Sequence, residues 1–219
     1  MPYRETDATR RRAEERREGL LRAARELVAR HGFAGAKVTA IARSCGTSVG
    51  LVYSYFDSRD ELLATVFRDS ASHELAAVRA AVTAAPPLGY ARLDAFIHTF
   101  ASRALRGRQL AWSLLFEPVS PTVEAERLTY RRAYVDLAAD ILRDGITDKT
   151  FPPQNVGLSA SATIGAISES LVGRLNPVGF DGLDLLDDDM VVVEEIKAFC
   201  RRALGAASIG SNQSTKESA

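Results

Sequence analysis

The stretch Ser48-Val49-Gly50-Leu51-Val52-Tyr53-Ser54-Tyr55 combines a hydroxyl, apolar side chains, a bare glycine and two phenols at helical spacing. In a helix laid along a DNA duplex, Ser48 can read a base edge, Val49 or Leu51 can meet a thymine methyl, and Gly50 lets the backbone come close. Tyr53 and Tyr55 carry hydroxyls suited to phosphate, a contact that positions without specifying sequence. No catalytic constellation competes with this reading. His31, His73 and His98 fall on separate predicted elements, and there is no G-x-S-x-G elbow, phosphate loop or H-E-x-x-H. No enzyme activity, metal or cofactor is expected.

The flanking residues supply the frame that such a helix needs. From Val38, small or apolar residues recur at Ile41, Ala42, Cys45, Thr47, Val52 and Tyr55, with Gly46 between the two halves, which is helix-turn-helix spacing. Ala42 is small where the second helix crosses the first. Gly46 ends the first helix in a left-handed conformation that costs little without a Cβ, and Thr47 or Ser48 caps the next. Ser48 to Phe56 is then the recognition helix, whose N-terminal residues lie near base edges. Ser58-Arg59-Asp60-Glu61 has capping-box form and opens a long helix to about Ala84, stopped by Pro86-Pro87. Its buried side is Leu62, Leu63, Val66, Phe67, Leu75 and Val78. Before the motif, Leu20, Ala24, Leu27 and Val28 mark a helix from about Arg11 to Arg30, closed by His31-Gly32. Phe33 plugs it to the motif. Residues 1–10 form a loose arm, and Arg10, Arg11 and Arg12 suit either a minor groove or plain solvation.

Gly32-Phe33, Ile41-Ala42, Cys45-Gly46, Gly50, Tyr53-x-Tyr55-Phe56 and Ser58-Arg59-x-x-Leu62, in that order, resemble the tetracycline-repressor-like (TetR) family of bacterial transcriptional regulators over roughly Leu20 to Phe67. The resemblance implies an all-α homodimer: an N-terminal three-helix helix-turn-helix domain, and a C-terminal helical domain for ligand binding and dimerisation. It carries DNA-contacting roles to Thr39, Ser48, Val49, Gly50, Tyr53, Tyr55 and Arg59. Two positions depart from the family. Lys37 stands where a Ser or Thr cap is usual, and could reach a phosphate instead. Val49 stands where a Lys often precedes the glycine, so base preference does not transfer from relatives.

Charge agrees with a DNA-binding head. The net charge of the 219 residues is zero, yet residues 1–56 hold eleven Lys or Arg against six Asp or Glu, and residues 57–219 hold 17 against 22. The two cysteines, Cys45 and Cys200, are far apart, which argues for a reducing compartment and against a disulfide or zinc framework. Cys45 is expected in the core. The N-terminus is charged and no run approaches membrane length, so the expected location is cytoplasmic.

The expected organisation is a DNA-binding domain over 1–57, a helical effector-binding and dimerisation domain over 58–205, and a disordered tail over 206–219. Body helices are expected at Leu88–Leu105, Arg108–Phe116, Thr122–Asp144, Pro153–Arg174 and Leu185–Leu204. The Asp187-Asp188-Asp189 run fits the first turn of the last helix, because consecutive side chains diverge too far to share a metal. Small residues at Ala162, Gly165, Ala166 and Gly173 face larger ones at Val192, Ile196, Phe199 and Ala203, with Val191 and Val193 widening that face. This is a candidate dimer interface of two helices per subunit, where the resemblance also places it; a core within one chain is the alternative. Phe96, Phe100, Trp112, Phe116, Tyr130 and Tyr134, with His98, Glu117 and Glu169 as polar anchors, are either plain core or the lining of a mostly apolar pocket. The combined expectation is a repressor that binds a palindromic operator as a homodimer and is released by an apolar or amphipathic small molecule. The alternative is an architectural DNA-binding protein without an effector.

Overall fold

The structure, a computed structural model, describes residues 7–176 and 188–206. Among the described residues there are helices and no strand: α1 (Asp7–Gly35), α2 (Val38–Ser44), α3 (Val49–Tyr53), α4 (Arg59–Ala84), α5 (Gly89–Arg106), α6 (Arg108–Leu115), α7 (Pro121–Thr147), α8 (Val156–Leu175) and α9 (Asp189–Ala203). The expected segments all recur, with ends displaced by a few residues. Expectations for residues 1–6, the break at 177–182, a helix start at Leu185, Asp187 and the tail 207–219 lie outside the described residues.

Packing divides the chain into two compact units. The described parts of the first are residues 7–76, 103–132 and 171–176; those of the second are 77–102, 133–170 and 188–206. The boundary expected after Asp57 falls inside the first unit. The cause is a shared hydrophobic cluster: Leu20 and Val28 of α1, Ile41 of α2 and Val52 of α3 pack with Leu62, Val66 and Phe67 of α4, Leu114 of α6 and Val123 of α7. A three-helix head of this size buries little apolar surface alone, and each Leu, Val or Phe that joins adds roughly 1.5–3 kcal/mol.

Two features of α1 differ from expectation. Residues 7–10 are helical rather than a loose arm. Arg10 and Arg11 stand four residues before Glu14 and Glu15, spacing that favours a solvated helix. Gly32 does end the regular helix, at φ 70 and ψ 179, but a further helical turn, not foreseen, follows to Gly35.

In the second unit, Leu93, Phe96 and Ile97 of α5, Ile141 and Leu142 of α7, Ile164 and Ile167 of α8, and Val193 and Ile196 of α9 are buried. Arg201 of α9 pairs with Asp94 of α5, Nε to Oδ1 at 2.7 Å. Asp188 caps α9, accepting from the Met190 N–H at 2.7 Å, as expected for the acidic run. α8 corrects one expectation. At 20 residues and a mean hydropathy of 1.2 it is long and apolar enough to cross a membrane by length and composition alone. Only 28% of that stretch is buried.

Candidate nucleic-acid interface

The helix-turn-helix is held by backbone devices that the residue types dictate. Lys37 precedes α2 with extended backbone, φ −76 and ψ 141, and gives no side-chain cap. Gly46 takes φ 61 at the turn, and the Thr47 N–H reaches back to the Ala42 carbonyl at 2.9 Å. Ser48 caps α3, its Oγ accepting from the Leu51 N–H at 3.2 Å. α3 is shorter than the expected Ser48–Phe56, because Ser54 turns its hydroxyl onto the Leu51 carbonyl at 2.7 Å. Val52 and Phe56 face the core, and the Arg17 guanidinium lies 5.0 Å from the Phe56 ring centroid. At the start of α4 the capping box forms one residue out of register. The Glu61 N–H donates to Ser58 Oγ at 3.1 Å, while the Glu61 carboxylate accepts from the Asp57 N–H.

Six of the eight expected DNA-contacting residues are exposed: Lys37, Thr39, Ser48, Val49, Gly50 and Tyr53. Tyr53, the last residue of α3, is 49% exposed, and the next phenol, Tyr55, just beyond the helix, is half-buried against the core cluster. Arg59 is also half-buried, and its Nη2 donates to the Phe33 carbonyl at 2.6 Å. Cys45 corrects the sequence expectation. It is exposed at the C-cap of α2, with Sγ 3.6 Å from the Gly19 carbonyl. Desolvation raises its thiol pKa, the Arg22 charge opposes this and Glu26 adds to it, so the thiol is not a ready nucleophile.

A residue that sequence spacing does not reveal as part of the head is Glu117, just beyond α6. Its Oε2 accepts from the Phe33 N–H at 2.9 Å and its Oε1 from the Ala34 N–H at 2.8 Å. Arg127 of α7 donates to the carbonyls of Glu117 at 2.7 Å and Leu114 at 3.0 Å, and lies 6.0 Å from the Phe67 ring centroid. Desolvation pulls the Arg127 pKa below its ordinary value, against Glu124 and Glu117.

The aromatic residues expected around one pocket fall into separate groups. Phe96, Phe100 and Tyr134 pack together in the second unit, the last two with ring centroids 5.2 Å apart. Trp112 pairs with Phe116 at 5.5 Å, and Tyr130 meets Phe67, in the first unit. His98 and Glu169 are exposed on α5 and α8, because their positions turn away from the buried sides of those helices. An open groove of about 850 Å³ in the first unit, beside Arg25, Asp69, His73 and Leu110, includes none of the expected pocket residues.

The expected interface residues also divide. Val192 and Ile196 are buried within their own unit. Ala162, Phe199 and Ala203 are exposed, and Gly165, Ala166 and Gly173 half-buried. Leu158 on α8 and Met190 and Val191 on α9 are exposed apolar residues as well.

An exposed, capped recognition helix on a buried supporting core defines a helix-turn-helix regulator of the three-helix type. Residues 20–66 match the family model for bacterial regulatory proteins of the tetR family. Over these residues the chain carries the N-terminal DNA-binding module of that family. No curated protein sequence matches it. Among solved structures, the fatty acid degradation regulator FadR from Bacillus halodurans is similar, with TM-score 0.71 and 18% identity over 88% of this chain and 97% of that one. FadR from Bacillus subtilis in complex with stearoyl-CoA gives 0.67 and 17% over 84% and 96%. A tetR-family regulatory protein from Rhodococcus RHA1 gives 0.67 and 22% over 87% and 97%. At these identities the likeness shows the fold.

Proposed function

We propose that this cytoplasmic regulator is a ligand-responsive repressor that binds a palindromic operator as a homodimer. The observation that carries the reading is the exposed leading edge of α3, where Val49 and Tyr53 stay in solvent while Val52 on the same short helix is buried. A helix that spends apolar side chains on solvent has a partner surface, and in this motif the partner is the major groove. Ser48, Val49 and Gly50 face base edges. Lys37, Thr39, Tyr53 and Tyr55 take phosphates, and Arg59 serves there through its remaining guanidinium N–H groups while Nη2 stays on the Phe33 carbonyl.

Leu158, Val191 and Phe199 support the dimer. They form an uncovered apolar face on α8 and α9, and a Cβ built on Gly165 meets nothing within 4 Å, which leaves room for a second helix to approach. This face also accounts for the low burial of α8. The released state is favoured by an apolar or amphipathic effector; because a structural neighbour was solved with stearoyl-CoA, fatty-acyl thioesters are the first ligands to try. A near-complete switch requires the effector to prefer the released state by roughly 5 kcal/mol.

The test is selection of bound fragments from random and genomic DNA, followed by titration of the winning duplex at several salt concentrations. The reading expects an inverted repeat bound as a dimer, with Tyr53→Phe weakening all duplexes alike. Weak binding without a repeat, lost at moderate salt, would indicate an architectural protein instead.

A further inference from the structure

We infer that Glu117 is a positioning residue through which the end of α6 holds the helix-turn-helix in its operator-binding attitude; the inference rests on the regulator reading above. The carboxylate takes both N–H groups of Phe33 and Ala34, at 2.9 and 2.8 Å. These follow directly on the Gly32 kink, where the helical ladder is interrupted and the N–H groups need an outside acceptor. The same turn is gripped from its other side. The Phe33 carbonyl accepts from Arg59, which opens α4, and the Phe33 ring stacks on Phe67 of α4 with centroids 5.9 Å apart. Phe33 is therefore tied to α6 through its N–H, and to α4 through its carbonyl and its ring. α2 begins only a few residues later, at Val38.

The α6 side of the link is equally fixed. The Trp112 carbonyl accepts the N–H groups of Phe116 at 2.8 Å and Glu117 at 3.0 Å, and Arg127 gathers the carbonyls that end the helix. Glu117 is only 8% exposed, so water does not readily replace its two charge-assisted bonds. A shift of the α6 end by an ångström or so lengthens both bonds together, so the turn must follow α6 or lose both acceptors. By linkage, whatever moves α6 changes operator affinity, and operator binding changes the state of α6.

Trp112 is the chain's single tryptophan, so its fluorescence reports the end of α6 directly. The full chain, Glu117→Ala and Glu117→Gln are titrated with the selected operator and with an unrelated duplex, while Trp112 emission is followed. The expected result is a Trp112 response to operator in the wild type. Glu117→Ala loses that response and binds operator about tenfold more weakly, while its affinity for the unrelated duplex stays within about twofold. Glu117→Gln falls between, because its amide oxygen accepts only one of the two N–H groups while its NH2 opposes the other. A folded Glu117→Ala with wild-type operator affinity and Trp112 response overturns the proposal, as does a wild type whose Trp112 ignores operator. If the alanine variant does not fold, an unchanged response in the isosteric Glu117→Gln overturns it. Failure of the wild type to select any inverted repeat is a separate outcome, since it sinks the regulator reading before any variant is compared.

Discussion

Each of the two compact units contains a carboxylate that accepts two backbone N–H groups, and the two sites lie in opposite surroundings. Glu117 in the first unit reaches Phe33 and Ala34, more than eighty residues away in sequence, from a position that is 8% exposed. Asp148 in the second unit takes Gly89 N–H at 2.7 Å and Thr150 N–H at 2.8 Å from an exposed turn. The bond count is equal and the cost of breaking it is not. Buried N–H groups left without acceptors cost roughly 1–3 kcal/mol each, whereas water substitutes at the surface. Glycines accompany both sites for different reasons. A Cβ on Gly32 would stand 2.6 Å from Glu117 Oε2, so that glycine makes room for a polar clasp. A Cβ on Gly145 would stand 2.2 Å from Cδ2 of the buried Phe151, so that glycine makes room for a ring.

Substitution tests whether this contrast is real. Gly32→Ala should have the largest effect, because φ 70 with ψ 179 is a conformation that only glycine adopts readily, and the added methyl also displaces the carboxylate. Urea unfolding should show a loss of about 3–4 kcal/mol. Gly145→Ala keeps an ordinary helical backbone and crowds the Phe151 ring and, at 3.2 Å, the Gly89 Cα, so its loss should be about 2 kcal/mol, the usual cost of overpacking. A larger loss at Gly145 than at Gly32 would break the comparison. Glu117→Gln should cost about 1.5 kcal/mol in the same measurement, since it retains shape and one of the two bonds.

Legibility in the sequence follows the range of the interactions. Gly46, the Ser48 cap and the Ser58 cap were all readable, because each is fixed by residues a few positions apart. The buried side of α4 was readable for a similar reason, its apolar period surviving whatever packs on it. What escaped was set across long separations. Nothing near Glu117 announces that its carboxylate serves a turn in α1, and nothing near Cys45 shows that the core closes without it. Arg59 shows the same limit, because its type suits a phosphate while the structure gives it the Phe33 carbonyl. On α9 the periodicity located the apolar stripe, but Val192 and Ile196 point into their own unit while Val191 and Phe199 face solvent. One helical stripe can serve a core or a partner, and only the packed neighbours decide between them.

Asp148→Asn should have the smallest effect, and its pH dependence carries the argument. Burial pushes the Asp148 carboxyl up, but hydrogen bonds from the Thr150 side chain and the Gly89 and Thr150 N–H groups, with the Arg92 charge, outweigh this and hold it below the ordinary 3.8. A carboxyl depressed in the folded state stabilises the fold fully above its unfolded pKa, and that stability disappears as pH falls through the folded value. Wild type should therefore exceed Asp148→Asn by at most about 1 kcal/mol near neutrality, because the site is exposed and solvent screens it. Thermal unfolding followed from pH 6 down to pH 2 should show the two curves converging below about pH 4. A gap that persisted at the acid end would mean that the side-chain amide disturbs the Gly89–Thr150 turn in its own right. The exposed clasp would then depend on geometry as much as the buried one does.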